Sequence, residues 1–290
     1  MTKIVVESAN KKSSVTITLN NVDDAQYKII KEYLFNELES QPKAYVAVSK
    51  AFDKAIALCP KENPSDIWRY LIYRPYLETA SDQSWKRVGG QALEIFFVNF
   101  YNRYLPEFNL RLISLSRATT AFEEMNILSK VGKSKLDIAI VGKCKDSKWR
   151  IIGGIHSKAS LAERITDDAH ASQVMISNGY YSPLLTLDMK AYPPPGGDEV
   201  NKGELQIPKR SGTESDKRNY FERDGQFSAC YSYNLRTPPT PNSSFVKSRI
   251  KTLNFSDKQP DEFVKDTIGY FESIKDAILV KPITKIYSDS

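Results

Sequence analysis

The sequence predicts an α/β protein: a mixed sheet flanked by helices, with a mainly helical N-terminal region. Three observations carry that expectation. From about Asp24 to Leu105, apolar residues recur three and four apart, the period of a helix that buries one face. The period then shortens, and "KLDIAIVG" and "WRIIGGIHSKAS" read as two β-rich runs joined by the polar turn "KCKDSK". Beyond them helical and strand-like stretches alternate, ending in the amphipathic "DEFVKDTIGYFESIKDAILV".

Element by element, "KIVVES" and "SSVTITL" suggest a first hairpin. "AQYKIIKEYLFNELES" and "YVAVSKAFDKAIAL" follow as helices. "NPSDIWRYLIYRPYLE" opens with Pro64, Ser65 and Asp66 ahead of an apolar stripe, a helix-start pattern. A longer helix is expected over Trp85 to Leu105, in which Gly90 and Glu94, four apart, share one face. After the β-hairpin, "SLAERITDDAHASQVMISNG" looks like a helix with Ser160 as N-cap, Glu163 completing a capping box and Gly179 at its end. "SPLLTLDMKAY" reads as a further strand. The Pro-, Gly- and charge-rich stretch around 192–220 reads as a long functional loop or a linker, and "LRTPPTPNSS" as a second loose segment.

Composition narrows the class. The 290 residues suit one large domain or two modest ones, and a hydrophobic content of 41% is enough for a core. A boundary is expected near residue 75, between an N-terminal strand and helix region (1–75) and a second region (76–290). No apolar run is long enough to cross a bilayer, and the start lacks the apolar core of a secretory signal, so no membrane association is expected. Cys59, Cys144 and Cys230 lie far apart and form neither a zinc pattern nor a disulfide framework, which fits a reducing cytoplasm. A net charge of +6 permits polyanion binding without establishing it.

The hairpin gathers the chemistry. If its turn centres near Asp146 and Ser147, paired positions sum to roughly 293, which sets Asp137 across from His156. His156 and Lys158, two apart, then point to one face. A carboxylate, an imidazole and an ammonium converge there, and Glu94 is placed to join from the preceding helix. Such a set suits phosphodiester hydrolysis. Carboxylates hold Mg²⁺, the metal activates a water, and a lysine stabilises developing charge. Asp137 is then the metal anchor, Glu94 a second acid direct or through water, and Lys158 the charged helper. Imidazole is a poor Mg²⁺ ligand, so His156 is expected to bond to a water of the metal shell. The same spacing also fits a strand-end pair facing solvent. Asp188 and Lys190 in "TLDMK" form a rival acid-x-Lys pair. Lys86 and Arg87, beside Trp85, are candidate phosphate contacts.

Three blocks carry a resemblance: "SWKRVGGQALE", "KLDIAIVG" and "GIHSKASLAERITDD". Together they resemble the type II restriction endonucleases of the PD-(D/E)xK superfamily, in particular the CCGG group, BsaWI being the nearest likeness. The blocks span roughly 67–175; the flanks match loosely. The resemblance implies a restriction-endonuclease-like fold for 76–290, with 1–75 serving dimerisation or DNA clamping. It implies Mg²⁺-dependent, sequence-specific cleavage of double-stranded DNA at a GC-containing palindrome, a homodimer on DNA, a bacterial cytoplasmic setting and a companion methyltransferase. His156 departs from the motif, which has an acid there; BsaWI has glutamine. The group also carries Lys, three residues, Arg, acid, Arg. This chain has Lys158, then Ala162, Glu163 and Arg164.

Glu163 would accept from a cytosine amino group and Arg164 donate twice to guanine. With Ser160 they form the expected DNA-reading set, and Ala162 in place of the first arginine puts a full CCGG reading in doubt. Asp167, Asp168 and His170 follow in the same helix. The aspartates are expected to be solvated, or else to serve as an outer metal ligand. Lys202, Lys209, Arg210, Lys217 and Arg218 lie in the long loop, where they are expected to wrap the duplex or enter a groove. The alternative function is a DNA-binding protein of the same fold with a decayed site. A protein-interaction module, or a nuclease that prefers junctions or lesions, are further classes.

Overall fold

The computed structural model describes residues 1–7, 14–115, 117–131, 136–161, 165–189, 201–206 and 216–276. The N-terminal hairpin pairs β1 (Thr2–Glu7) with β2 (Ser14–Leu19), burying Ile4, Ile17 and Leu19. Helix α1 (Asp24–Ser40) starts at Asp23, whose side chain accepts from the Gln26 N–H while the Gln26 side chain accepts from the Asp23 N–H. Helix α2 (Ala44–Leu58) buries Val48, Phe52 and Ala55. A short turn α3 (Pro64–Asp66), capped by Asn63, runs into a π-helix (Ile67–Tyr73) and a turn α4 (Arg74–Tyr76). The apolar stripe read there is real, but the passage is wound more loosely than an α-helix.

Helix α5 (Asp82–Tyr101) begins three residues earlier than expected, because Ser81 caps it, and ends four earlier. A 3₁₀ turn (Leu105–Phe108) leads to β3 (Leu110–Ser114), then to α6 (Ala118–Glu124) and α7 (Leu128–Val131). Strand β4 (Ile138–Lys143) and strand β5 (Trp149–Lys158) form the expected hairpin, with Ser147 at φ 62° in its turn. Helix α8 (Ile165–Ser177) and β6 (Leu184–Thr186) follow. A 3₁₀ turn (Asp216–Arg218) precedes α9 (Asn219–Glu222), β7 (Cys230–Ser232), β8 (Ile250–Thr252) and α10 (Glu262–Ile274).

The main sheet has the order β3-β4-β5-β6-β7-β8. β3, β4 and β5 are antiparallel; β5 to β8 are parallel. One face packs on α5, α2 and α10 in a core that runs from Ile4 to Phe271. The other packs on α6, α7, α8 and α9. With both faces covered, β5 reads as a continuous apolar run. Its Gly153 admits the backbone of Tyr181: a Cβ there would lie 2.2 Å from the Tyr181 carbonyl oxygen. No described helix is long and apolar enough to cross a membrane.

Candidate active site

The hairpin register decides which side chains meet. Ile138 pairs with Ile155 and Ile140 with Gly153, the sums expected from the sequence, and a bulge beyond Ile140 shifts the rest by one. Asp137, just before β4, thereby faces the end of β5. Its Oδ2 accepts from the Ser157 N–H at 2.8 Å and from Lys158 Nζ at 3.1 Å. Lys158 Nζ also lies 2.9 Å from Asp168 Oδ2, in the first turn of α8. That turn carries the positive end of the helix dipole and favours a carboxylate. The three side chains form a rim: Lys158 is 19% exposed, Asp137 13% and Asp168 5%. Burial opposes the lysine's charge, but Asp137 and Asp168 outweigh it and hold its pKa above the ordinary value.

Asp168 corrects the expectation that both aspartates are solvated. Asp167 is exposed, but Asp168 is buried with Ile165, Ala169 and Ser172 on one helix face. A carboxylate within an otherwise apolar or small i, i+3, i+4, i+7 stripe was the available signal. His156 lies behind the rim and is fully buried, with Nδ1 3.8 Å from Asp168 Oδ1 and Nε2 3.4 Å from Ser182 Oγ. Its ring meets Phe227 edge-on. Burial lowers its pKa more than the attraction of Asp168 and Asp137 raises it, so the imidazole is neutral. His170 is exposed.

Glu94 is half-buried on α5, the helix packed along β5. Lys86 and Arg87 are exposed in the first turns of that helix. The Ser160 hydroxyl donates to Glu204 Oε1 at 3.3 Å; the residues between it and the described start of α8 at Ile165, where the capping box was expected, include 162–164, which lie outside the described residues. Glu163, Arg164, Lys190, Lys209 and Arg210 lie outside the described residues. Lys202 is exposed. Arg218 and Lys217 are not free to enter a groove. Arg218 is buried in a two-bond pair with Glu222 (2.7 and 2.8 Å), and Lys217 pairs with Glu204. Asp188 is sealed, with its carboxylate oxygens engaged by Thr237, Glu204 and Leu205, so the rival pair offers no open carboxylate.

Two acids from separate elements on one lysine suit a hydrolytic centre. Comparison with known proteins supplies the family. Residues 115–259 match the family model described as BsaWI restriction endonuclease type 2. The chain is 42% identical over 260 residues to the type II restriction enzyme AgeI of Thalassovita gelatinovora, covering 85% of this chain and 92% of that one. The chain belongs to the type II restriction endonucleases. It is thus a site-specific deoxyribonuclease. Its fold superposes on a crystal structure of the specific AgeI–DNA complex with a TM-score of 0.83 and 38% identity, covering 93% of this endonuclease and 99% of the other chain.

Proposed function

We propose that this endonuclease cuts both strands of a short GC-containing palindrome related to CCGG, with Mg²⁺, and acts as a homodimer on double-stranded DNA. The observation that carries the reading is the meeting of Asp137 and Asp168 on Lys158 at the C-terminal end of β5. The donor set fits the metal. Mg²⁺ takes hard oxygen ligands, and one or two carboxylates with substrate phosphate and water are its usual complement. Asp137 and Asp168 would hold it, and Glu94 on α5 would act through water, since the described residues form no group of three such side chains. Bound Mg²⁺ would supply a polarised water and neutralise phosphate charge.

The chain's own groups do the rest. Lys158, held protonated by its two acids, places a fixed positive charge where the phosphate must approach. The Ser157 N–H fixes one oxygen of Asp137. Neutral His156 buttresses Asp168 from behind and needs no exchange of protons with solvent. Glu163 and Arg164 read a G·C pair, or two adjacent ones, in the major groove. Lys86 and Arg87 contact phosphates, and residues 1–75 assist dimerisation or clamping. Two-fold protein symmetry matches a palindromic site. A bacterial cytoplasm with a protecting methyltransferase is the setting such an activity requires.

The test is digestion of a long DNA of known sequence by the purified protein, with and without Mg²⁺. Discrete fragments that need Mg²⁺ and end at one GC-containing palindrome are expected. A smear would remove sequence reading. Specific binding without cutting would favour a decayed site.

A further inference from the structure

The adjacent parallel strand carries a second buried acid that cleavage does not use. Asp188 follows β6, is fully buried, and has φ 43°, a left-handed backbone uncommon outside glycine. Its carboxylate accepts from Thr237 Oγ1 at 2.6 Å, the Glu204 N–H at 2.7 Å and the Leu205 N–H at 3.4 Å. No lysine or arginine among the described residues pairs with it. A carboxylate only accepts, so it can face three donors; an asparagine amide would turn its NH₂ toward one of them. The fit is close, for a Cβ on Gly203 would fall 2.2 Å from Asp188 Oδ2.

The surroundings lead back to β5. Leu187 N–H donates to the Lys158 carbonyl at 3.1 Å and Met189 N–H to that of Ala159 at 2.9 Å, so Asp188 lies between the two bonds that hold the exit of β5. Arg218 donates to the Leu205 carbonyl at 3.0 Å and to that of Pro238 at 2.8 Å, beside Thr237, and closes a ring through Asp188. From that ring the Glu204 side chain reaches Ser160. A buried carboxylate with hydrogen bonds but no counter-ion is a poor stabiliser. A geometric task accounts for it.

We propose that Asp188 is a positioning residue for sequence reading: through Glu204 and the exit of β5 it sets where Ser160, a member of the expected DNA-reading set, meets the bases. This rests on the endonuclease reading above. It concerns fidelity, not the cutting step.

The experiment compares full-length wild type with Asp188→Asn and Glu204→Gln. The readout is the ratio of kcat/KM on the mapped site to that on a site with one base pair changed, at fixed salt and Mg²⁺. Melting temperature and binding to unrelated duplex are measured alongside. Both variants should lose at least about tenfold in the ratio, the scale of one base contact, while binding unrelated DNA as before. A folded Glu204→Gln whose ratio stays within about threefold of wild type would overturn the proposal. A merely structural role would lower the melting temperature and leave the ratio alone. If Asp188→Asn does not fold, a double-mutant cycle of Glu204→Gln with Ser160→Ala decides, with non-additive loss of the ratio expected and additive loss counting against it. Wild type cutting at no discrete site would instead sink the endonuclease reading itself.

Discussion

Two acid centres stand one strand apart, at the same end of the sheet, and they differ in how their charge is handled. At the end of β5, Asp137 and Asp168 share the ammonium of Lys158, and Lys158 and Asp137 keep part of their surface in solvent. Beyond the end of β6, Asp188 is sealed and satisfied by neutral donors alone. On the reading proposed above, a centre that takes a phosphate and a metal needs carboxylates whose partner can yield or be shared. A centre that must hold a backbone still needs an acceptor that nothing can displace. The difference teaches that burial of an acid does not mark chemistry; the identity of its partner and its access to solvent do.

The sharpest way to break that comparison is to remove the rim. Asp137→Ala and Lys158→Ala should each lower cleavage by about a thousandfold or more, about 4 kcal/mol of transition-state stabilisation, while leaving specific DNA binding measurable. Single-turnover cleavage and gel-shift binding read the two separately. If either variant cuts at the wild-type rate, the rim is not the centre. The sealed acid would then have to be reconsidered.

Asp168→Asn tests whether the rim has two acids. A loss of about a hundredfold, about 3 kcal/mol, is expected if Asp168 helps hold the metal and Lys158. The exposed neighbour serves as the control, and Asp167→Asn should cut as wild type does. Equal behaviour of the two would return Asp168 to a purely structural place beside His156.

How far the sequence revealed these centres follows from their physics. The antiparallel half was legible: β5 has ten residues and a polar turn, so its period and register could be counted, and Asp137 and Lys158 were brought together on paper as they are in space. Of the parallel half only β6 was read, inside "SPLLTLDMKAY". Strands β6, β7 and β8 have three residues each, too few for any period, and their pairing is set by contacts far apart in the chain. β3 also went unread. Asp168 was named only as an alternative to a solvated residue, because polar residues near a helix start usually cap or face water, and only its place in the buried stripe separates it from Asp167. His156 was expected to bond to a water of the metal shell; packing against Phe227 and Ser182 buries it behind the rim. Arg218 looked like a groove contact because a cation in a long loop gives no sign of being buried against Glu222.

The smallest expected effect concerns the sealed acid, and it is a pH dependence of stability. Burial, only partly offset by Thr237 and the two N–H donors, raises the pKa of Asp188 from 3.8 to about 6. A carboxyl whose folded pKa lies above its unfolded value favours the fold fully below about pH 4, and that contribution is lost as pH rises through about 6. Across the window the loss is at most about 3 kcal/mol. Asp188→Asn does not titrate, so the gap in unfolding free energy between wild type and variant should move toward wild type as pH falls from 7 to 4. Denaturant melts of both proteins at several pH values isolate it, since every other carboxyl is common to the two. A gap that stays flat for Asp188→Asn would mean that its carboxylate is as comfortable folded as unfolded, and the contrast between the two centres would rest on geometry alone.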